Sequence, residues 1–385
     1  MSLPLLAGLR VLDLSQYLPG PYASLILADL GADVVRIEPP GGEPMRRIGP
    51  LDHGGLSAWY KQVNREKRVV ELDLKGEPGK RLFEELIKAA DGLLESYRPG
   101  VLARLGFSPE RLRALNPSLV ICSLSGWGQT GPYRERGGHD VNYMALMGGL
   151  ALSGPAAAPS IGYPQVADYA SGVHAALCLT AALLRRERTG EGAYLDTSIA
   201  ESVLPWQGWS LTALQRPGLV VERASMVLNG GAAYYQIYRT KDGAFITLGA
   251  IEEKFWRNFC TALGHPEWAE RQHEPLPQRA LIGEVAALIA GKTLAEWEVV
   301  FENVDCCFEP VHPLGAVPGH PQIRARGLVR VHEGEDPFTE VLFPAWLDGA
   351  PPAERRPVRF ASAEDVLGDW SRAPEGQRPS LRKGR

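Results

Sequence analysis

The sequence has few of the residues that build metal sites and disulfide frameworks. Its 385 residues include five cysteines and eight histidines, and no CxxC pair or Cys/His spacing typical of a metal site occurs. The number of cysteines is odd, and Cys306 and Cys307 are adjacent. We therefore expect free thiols, a reducing compartment and a cytoplasmic location, and we predict no metal site.

Neither sign of charge dominates, and no hydrophobic run is long. The formal net charge is −4, which argues against a nucleic-acid-binding protein that relies on bulk positive charge. No stretch approaches the roughly 18 unbroken apolar residues of a membrane span. The first residues lack the pattern of a signal peptide, and the last, LRKGR, carry no peroxisomal address. We therefore expect neither a membrane nor a nucleic-acid partner.

The common nucleotide-binding motifs are absent as well. The first strand–helix turn reads SQYLPGPYAS, without GxGxxG, and the chain contains no GxxxxGK[ST]. The sequence therefore supports neither a dinucleotide-binding site of the NAD type nor a P-loop.

What the first 200 residues do contain is a regular alternation of strand and helix patterns. Apolar runs predict strands in GLRVLDLS, ADVVRIEPP, KRVVELDLK, DGLLESYRPG, LVICSLSGWG and GAYLDTSI. Helical patterns occur in PGPYASLILADLG, in EPGKRLFEELIKAADG and in a long apolar segment from Ala167 to Arg186. Such alternation indicates βαβ units and a mainly parallel sheet.

The pattern changes after about residue 220. GGAAYYQIYRTKDGAFITLGA predicts a β-hairpin with Lys241, Asp242 and Gly243 at its turn, and helices follow it. GLVRVHEGEDPFTEVLFPA predicts strands again. We therefore predict a large α/β domain over 1–220, a smaller α+β domain over 221–325, and a return to the large domain over 326–385. The Pro-, Arg- and Ser-rich tail from about Ser371 is expected to be poorly ordered.

Three side chains are candidates for chemistry, and each also has a structural interpretation. His139 follows two glycines, which let the backbone approach a ligand or adopt positive φ, but a lone histidine there is more often structural. Asp168 begins the long apolar helix, where aspartate is a good N-cap. A carboxylate at that position is also stabilised as an anion and can act as a nucleophile or proton acceptor. Glu252 follows a strand of the second domain, where glutamate usually starts a helix.

Basic residues lie near several predicted strand ends in the first half of the chain. They are Arg36, Lys75, Arg98 and Arg104. Each alone is most simply a solvated surface charge. In an open α/β sheet, however, ligands bind outside the carboxyl ends of the strands, and cations there suit a phosphorylated ligand.

Taken together and in order, these segments resemble the class III CoA-transferases and α-methylacyl-CoA racemases over nearly the whole chain. The resemblance rests on the opening GLRVLDLSQYLPGPYASLILADLGADVVRIEPPGG, on NREKRVVELDLK, ESYRPGVLARLGFSPERL and GHDVNYMALMGG, and on Ala167 through RRERTGEGAYLDTSIAES. It implies an α/β fold with a large Rossmann-like domain built on a parallel sheet, a smaller α+β domain, and an interlocked homodimer.

The resemblance also implies roles for particular residues. The CoA part of an acyl-CoA thioester would be bound by Arg36, Leu72 to Lys75, Ser96, Tyr97, Arg98 and Arg104. Gly138, Asp140 and Tyr143 would line the pantetheine and thioester end. Gln16 corresponds to a residue near the active site in the transferase branch. CoA is part of the substrate, so no separate cofactor is expected.

The two branches of the family differ in what Asp168 does. In the transferases it is a nucleophile that forms a mixed anhydride and then an enzyme–CoA thioester. In the racemases it and the histidine of GHD exchange protons with the α-carbon, supported by a glutamate in a GA[IL]E segment. This sequence has His139 and Glu252 at those positions. The resemblance therefore favours a racemase, with a CoA-transferase and a silent CoA-binding protein as alternatives.

Two details complete the expectation for the racemase. Removal of an α-proton creates an enolate, and a backbone N–H at the start of the Asp168 helix is expected to stabilise its oxygen. The segment before Asp168 reads YPQVAD, with Gln165, where racemases have an asparagine-containing segment of the NLVAD kind. We therefore expect the cavity wall beside the acyl chain to differ from that of the racemases. The sequence specifies the substrate only as a 2-methyl-branched or related acyl-CoA.

Overall fold

The structure, a computed structural model, describes residues 4–372. These residues form two compact units, the first with 4–147, 165–205 and 318–372, the second with 148–164 and 206–317. The second unit thus begins and ends earlier than the predicted 221–325, and it includes a short excursion at 148–164. At neither boundary of the second unit does the sequence change from a strand pattern to a helix pattern or the reverse. The tail beyond residue 372 lies outside the described residues.

The strands and helices follow the predicted order. The strands are β1 Arg10–Leu14, β2 Asp33–Glu38, β3 Arg68–Glu71, β4 Gly92–Glu95, β5 Val120–Ser125, β6 Ala193–Ser198, β7 Tyr235–Arg239, β8 Phe245–Gly249, β9 Phe308–Pro310, β10 Val329–His332, β11 Phe338–Val341 and β12 Arg359–Phe360. The helices are α1 Pro19–Asp29, α2 Ala58–Asn64, α3 Glu77–Ala89, α4 Val101–Arg104, α5 Pro109–Leu115, α6 Asp140–Leu146, α7 Gly149–Leu152, α8 Val166–Thr189, α9 Gly208–Ala213, α10 Glu253–Ala262, α11 Arg279–Ile289, α12 Leu294–Phe301, α13 Pro321–Arg326 and α14 Ala363–Arg372.

The first unit is built on a parallel sheet whose strand order, within the described residues, is β12-β3-β2-β1-β4-β5-β6. The predicted parallel sheet is therefore confirmed. From β1 the chain first builds outward through β2 and β3, and then crosses back to continue through β4, β5 and β6. In this Rossmann-like order the chain adds strands first on one side of β1 and then on the other. A crevice lies where the side changes, between the carboxyl ends of β1 and β4.

Helices cover both faces of this sheet, and a separate hydrophobic core fills each interface. One core joins the sheet to α3, α5 and α14 through Phe83, Leu112 and Trp370. The other joins it to α1 and α8 through Leu27 and Leu179. Because both faces are covered, the central strands are buried along their whole length.

Helix α8 is the long apolar helix of the sequence pattern, and it carries Asp168 in its first turn. Among the described helices, it alone is long and apolar enough to cross a membrane, yet 50% of its most apolar window is buried inside the structure. It packs closely on α1 at Gly172, where an added Cβ would lie 2.8 Å from the carbonyl oxygen of Pro19. The absence of a side chain at Gly172 thus fixes the start of α8 beside the start of α1.

The second unit has its own core under an antiparallel sheet. Strands β7 and β8 form the predicted hairpin, and β9 pairs with β8. Gly243 in the turn has φ of +83°, which glycine adopts without strain. Aromatic side chains of α10 and α12, among them Trp256 and Trp297, fill the core beneath this sheet. The second unit therefore combines an antiparallel sheet with helices, and its bounds differ from the predicted 221–325.

Candidate active site

A cavity of about 510 Å³ lies in the crevice of the first unit at the carboxyl ends of β1, β4 and β5. The predicted residues that line it are Gln16, Ser96, Tyr97, Arg98, Gly138, His139, Tyr143 and Asp168. They come from four separate stretches of the chain that the strand order brings to one place. The topology therefore unites most of the predicted site, as expected for an open α/β sheet.

The structure adds residues that the sequence analysis missed. Tyr17, Arg134 and Arg136 also line the cavity. The guanidinium carbon of Arg136 lies 3.8 Å from the centre of the Tyr133 ring, a cation–π contact that orients it. The segment YRERGGHD places both arginines directly before His139, and that proximity is the signal that could have identified them.

Asp168 has an environment that changes its acidity. Burial raises the pKa of its carboxyl group, and the neighbouring carboxylate of Asp140 adds to the effect, so the pKa is about 7. A group with that pKa is present in both protonation states near neutral pH. It can therefore accept and donate a proton with similar ease, which suits general acid–base catalysis.

Asp140 links the segment that carries His139 to the start of α8. Its Oδ1 atom accepts hydrogen bonds from the backbone N–H groups of Ala167 (2.7 Å) and Asp168 (3.3 Å) at the start of α8. Since Asp140 is the first residue of α6 and directly follows His139, this cap fixes the segment that carries His139 to the helix that carries Asp168. Asp140 therefore already engages two of the N–H groups at the start of α8, where we expected an enolate oxygen to bind.

We predict that two substitutions separate the electrostatic and capping roles of Asp140. Asp140→Asn keeps an oxygen that can cap α8 but removes the negative charge, so the pKa of Asp168 falls. The acid limb of kcat/KM should then move to lower pH, measured between about pH 5 and 9, with little change in thermal stability. Asp140→Ala should also lower the free energy of unfolding by about 1 kcal/mol, because the cap is lost. An unchanged pH profile in both variants would contradict this account.

His139 occupies the N-cap position of α6 and is exposed to the cavity. Its backbone N–H donates to Oδ1 of Asn142 (3.1 Å), which fixes the turn in front of the helix. Both glycines before it line the cavity, but neither has positive φ. Gly138 has an ordinary φ, and an added Cβ would lie 2.9 Å from the Tyr143 ring and 3.1 Å from Trp127. Gly138 thus makes room for these rings, and its carbonyl accepts the Tyr143 hydroxyl at 2.7 Å.

Arg36 differs from the prediction. Its side chain is fully buried, and its guanidinium donates to Glu38 (2.8 Å), to Asp13 (3.0 Å) and to Glu43. These residues and Lys67 form what we call the buried ionic cluster, whose members are Asp13, Arg36, Glu38, Glu43 and Lys67, each at most 2% exposed. Burial alone would raise the pKa of Asp13, but Arg36 and Lys67 hold it well below its usual range. We therefore assign Arg36 a structural role and no contact with CoA.

The consequence can be tested by comparing two arginines. Arg36→Gln should lower the free energy of unfolding by about 3–5 kcal/mol, because buried carboxylates lose their partner. Arg98→Gln should change it by less than about 0.5 kcal/mol, since Arg98 is exposed, but should weaken CoA binding. Denaturant unfolding and calorimetric titration with CoA measure the two effects. A stable Arg36→Gln protein that fails to bind CoA would restore the original assignment.

The remaining predicted residues lie outside the cavity lining. Leu72 is buried in the core after β3, so its side chain is not available to a ligand. Lys75 and Arg104 are exposed and follow β3 and β4, respectively. Glu252 belongs to the second unit, where it is the exposed N-cap residue of α10. The cavity itself is formed by residues of the first unit.

One group of side chains in the described part of the first unit has metal-ligand spacing. Potential ligand atoms of His332, Glu340 and Glu354 lie within 4.8 Å of one another. Oxygen Oε1 of Glu340, however, lies 3.0 Å from Arg65 Nε and 3.5 Å from Arg355 Nη1. Protein cations already compensate its charge, so we assign no metal to this group. The thiols of all five cysteines are free, as predicted.

Known sequences provide a comparison with this site. Residues 6–358 match the sequence profile of CoA-transferase family III. The chain is 34% identical over 346 residues to the alpha-methylacyl-CoA racemase of Homo sapiens, which covers 86% of this chain and 84% of that protein. It is 33% identical over 351 residues to the succinate–glutarate CoA-transferase of Agrobacterium fabrum, which covers 86% of both proteins.

A solved structure gives the same picture. The fold matches a CAIB/BAIF family protein from Brucella suis with a TM-score of 0.82, at 26% sequence identity, over 96% of this chain and 100% of that one. Relatives with two different activities are thus similar to this chain to nearly the same degree. Sequence identity alone does not separate racemisation from CoA transfer, and the choice between them depends on the cavity.

Proposed function

The chain belongs to CoA-transferase family III, and we propose that within it this protein is an acyl-CoA racemase or epimerase. The substrate class is a 2-methyl-branched or related acyl-CoA, and the reaction inverts the α-carbon through an enolate. The observation that carries the proposal is that His139 and Asp168 line one cavity at the switch point of the sheet.

The reaction uses one residue to remove the proton and the other to replace it. In one direction the Asp168 carboxylate takes the α-proton, and the electrons of the C–H bond form the enolate of the thioester. The imidazolium of His139 then gives a proton to the opposite face of the α-carbon. The enzyme finishes with protonated Asp168 and neutral His139, which is the state that performs the reverse reaction. The pKa of about 7 at Asp168 suits this exchange of roles.

Because Asp140 accepts the N–H groups of Ala167 and Asp168, we propose that cavity side chains donate to the enolate oxygen. The cavity offers the side chains of Gln16 and Ser96 and the guanidinium groups of three arginines. The Ser96 hydroxyl oxygen accepts the Gln16 backbone N–H at 2.9 Å, so its own hydrogen is available to a ligand. Donors fixed in advance at this position stabilise charge that develops in the transition state.

The same cavity supplies cations for the phosphates of CoA. Arg98, Arg134 and Arg136 lie on its walls, and exposed Lys75 and Arg104 extend the positive charge along the same edge of the sheet. Arginine suits phosphate because its planar group can donate two parallel hydrogen bonds. We propose that these residues bind the nucleotide end, while Gly138 and Tyr143 border the thioester end and Asp140 supports them from outside the cavity lining.

The proposal includes self-association as a homodimer. Val173, Leu177 and Leu184 are 47%, 62% and 54% exposed in the isolated chain, and their spacing places them along one face of α8. Such an apolar helix face is usually covered in a soluble protein. In an interlocked dimer Glu252 could support His139 from its own chain or from the partner. A monomer in sedimentation velocity at micromolar concentration would remove this part of the proposal.

A CoA-transferase that acts through Asp168 is the second candidate. Gln16, which matches a residue near the active site of the transferase branch, lines the cavity beside Asp168, and transferases are among the similar proteins. In this reaction the Asp168 carboxylate attacks the thioester carbonyl and releases CoA thiolate, which leaves a mixed anhydride. Attack of that thiolate on the aspartyl carbonyl then releases the donor acid and gives an enzyme thioester.

Isotope exchange without an acceptor acid separates the two reactions. The protein is incubated in D₂O with one enantiomer of a 2-methylacyl-CoA and no second carboxylate. Racemisation predicts α-deuterium and loss of optical purity. Transfer predicts neither, but gives a hydroxylamine-sensitive adduct at Asp168 and turnover once a dicarboxylate is added. CoA binding with none of these signals would indicate a silent binding protein and would refute both enzymatic functions.

A further inference from the structure

The corner from Ser15 to Pro21, which connects β1 to α1 and includes the first three residues of α1, forms one wall of the cavity. Gln16, Tyr17 and Pro19 of this corner line it directly. Tyr17 has φ of +62°, a left-handed conformation that bulky side chains rarely adopt. Its side chain is 45% exposed, so burial of the ring does not account for the conformation. Backbone contacts must therefore hold the corner in this shape.

Those contacts come largely from the buried ionic cluster. Asp13 accepts the backbone N–H of Ser15 at 2.8 Å, and Arg36 donates to the carbonyl oxygen of Ser15 at 2.9 Å. Glu43 accepts the backbone N–H of Tyr17 at 3.0 Å. The cluster thus fixes the chain on both sides of Gln16.

The far end of the corner is held by the same cluster. The Lys67 ammonium group donates to the carbonyl oxygen of Pro21 at 2.8 Å and to the hydroxyl of Ser24 at 2.8 Å. Between the two ends the chain folds back closely, since an added Cβ at Gly20 would lie 2.1 Å from the Cβ of Ser15. The charges therefore fix where the corner leaves β1 and where it enters α1.

We propose that the buried ionic cluster shapes this corner for ligand binding, and that Glu43 is the positioning residue that joins the two. Glu43 accepts from the Arg36 guanidinium through Oε1 and from the Tyr17 backbone through Oε2. It does not line the cavity, so it acts only through Tyr17 and Gln16. The inference rests on the proposed function in one respect, because it takes the ligand to be a CoA thioester.

Removal of Glu43 should weaken ligand binding more than it slows the chemical step. Without Glu43, the left-handed turn at Tyr17 loses its acceptor, and the corner occupies its binding shape for only part of the time. Apparent affinity falls in proportion to the fraction of molecules in the competent shape. Once the ligand is bound, the corner is ordered again and the reacting groups are unchanged. KM should therefore rise while kcat stays nearly constant.

The first measurement needs no ligand. Hydrogen exchange followed by mass spectrometry compares the wild type, Glu43→Ala and a matched control, Asp29→Ala. Asp29 also forms a buried ion pair, with Arg355 at 2.5 Å, but within the described residues its carboxylate makes no hydrogen bond or ion pair with the corner. We expect exchange in residues 15–18 to become about tenfold faster in Glu43→Ala only. The Gln16 amide is the decisive reporter, because its acceptor is Ser96 and not Glu43.

The second measurement is binding and turnover. We expect the Kd for CoA and the KM for the acyl-CoA to rise about tenfold in Glu43→Ala, with kcat within about threefold of the wild type. Asp29→Ala should resemble the wild type in all three quantities, although both variants lose thermal stability. If Glu43→Ala does not fold, Glu43→Met replaces it, since methionine has a similar size but no oxygen to accept the Tyr17 N–H.

The outcomes distinguish this inference from the proposed function. Unchanged exchange at residues 15–18 in the Glu43 variants overturns the inference, as does faster exchange with unchanged CoA affinity. Equal effects in Asp29→Ala would also overturn it, because they would reflect general destabilisation. If the wild type binds no CoA, the proposed function fails, and the exchange result alone then decides whether Glu43 holds the corner.

Discussion

Asp168→Asn is expected to lower kcat/KM by about three orders of magnitude, whichever of the two reactions the protein performs. Asparagine has nearly the same shape as aspartate but can neither accept the α-proton nor attack a thioester. The residue lies at the wall of the cavity in the first turn of α8, so the substitution removes reactivity without removing packing. Steady-state kinetics with an acyl-CoA measure the loss.

The control for this prediction is an Asp→Asn substitution in the first turn of another helix. Asp365 lies in the first turn of α14 and outside the cavity lining, so Asp365→Asn should retain wild-type kcat/KM. A loss of less than about tenfold in Asp168→Asn would contradict a direct role for Asp168. Binding of CoA should persist in Asp168→Asn, because the phosphate-binding cations are untouched.

The stability of Asp168→Asn gives an independent check with a definite sign. In the folded protein the pKa of Asp168 is raised from 3.8 to about 7, first by burial and then by Asp140. The folded state therefore binds this proton more tightly than the unfolded state, and stability falls as pH rises from about 4 to about 7. Asparagine does not ionise. The variant should match the wild type below about pH 4 and melt at least about 2 °C higher at pH 8.

Much of the fold could be predicted because its signals are local. The strands from β1 to β6 are short segments bounded by glycine, proline or polar residues, α3 has a clear amphipathic pattern, and α1 and α8 are predominantly apolar. The strand order then follows from general rules for open α/β sheets, and it brings Gln16, Ser96 and His139 together. The boundaries of the second unit had no comparable signal, because 148–164 and 206–220 contain no strand.

The errors concern side chains whose environment depends on distant residues. In a parallel sheet covered on both faces, a strand gives no alternation that tells inward from outward positions. The direction of Arg36 in β2 was therefore not readable from its position near a strand end. Likewise, Asp140 caps a helix 27 residues further along the chain, and no local pattern indicates such a partner.

His139→Ala is the substitution that distinguishes the two reactions. A racemase should lose racemisation by about 10³-fold, within the usual range for loss of one acid–base group. A transferase should retain most of its activity, since Asp168 alone forms the covalent intermediates. His265→Ala is a suitable control, because that histidine belongs to the second unit and stacks on Trp268.

The mechanism predicts a further, more specific result for the two active-site variants. With His139 removed, Asp168 can still take the α-proton from the enantiomer that presents it to that face and return a deuteron from D₂O to the same face. That enantiomer should exchange without inverting, while the other stays inert. Asp168→Asn should show the opposite preference, because only His139 then remains. Exchange of the same enantiomer in both variants would mean that the two residues do not act on opposite faces of the α-carbon.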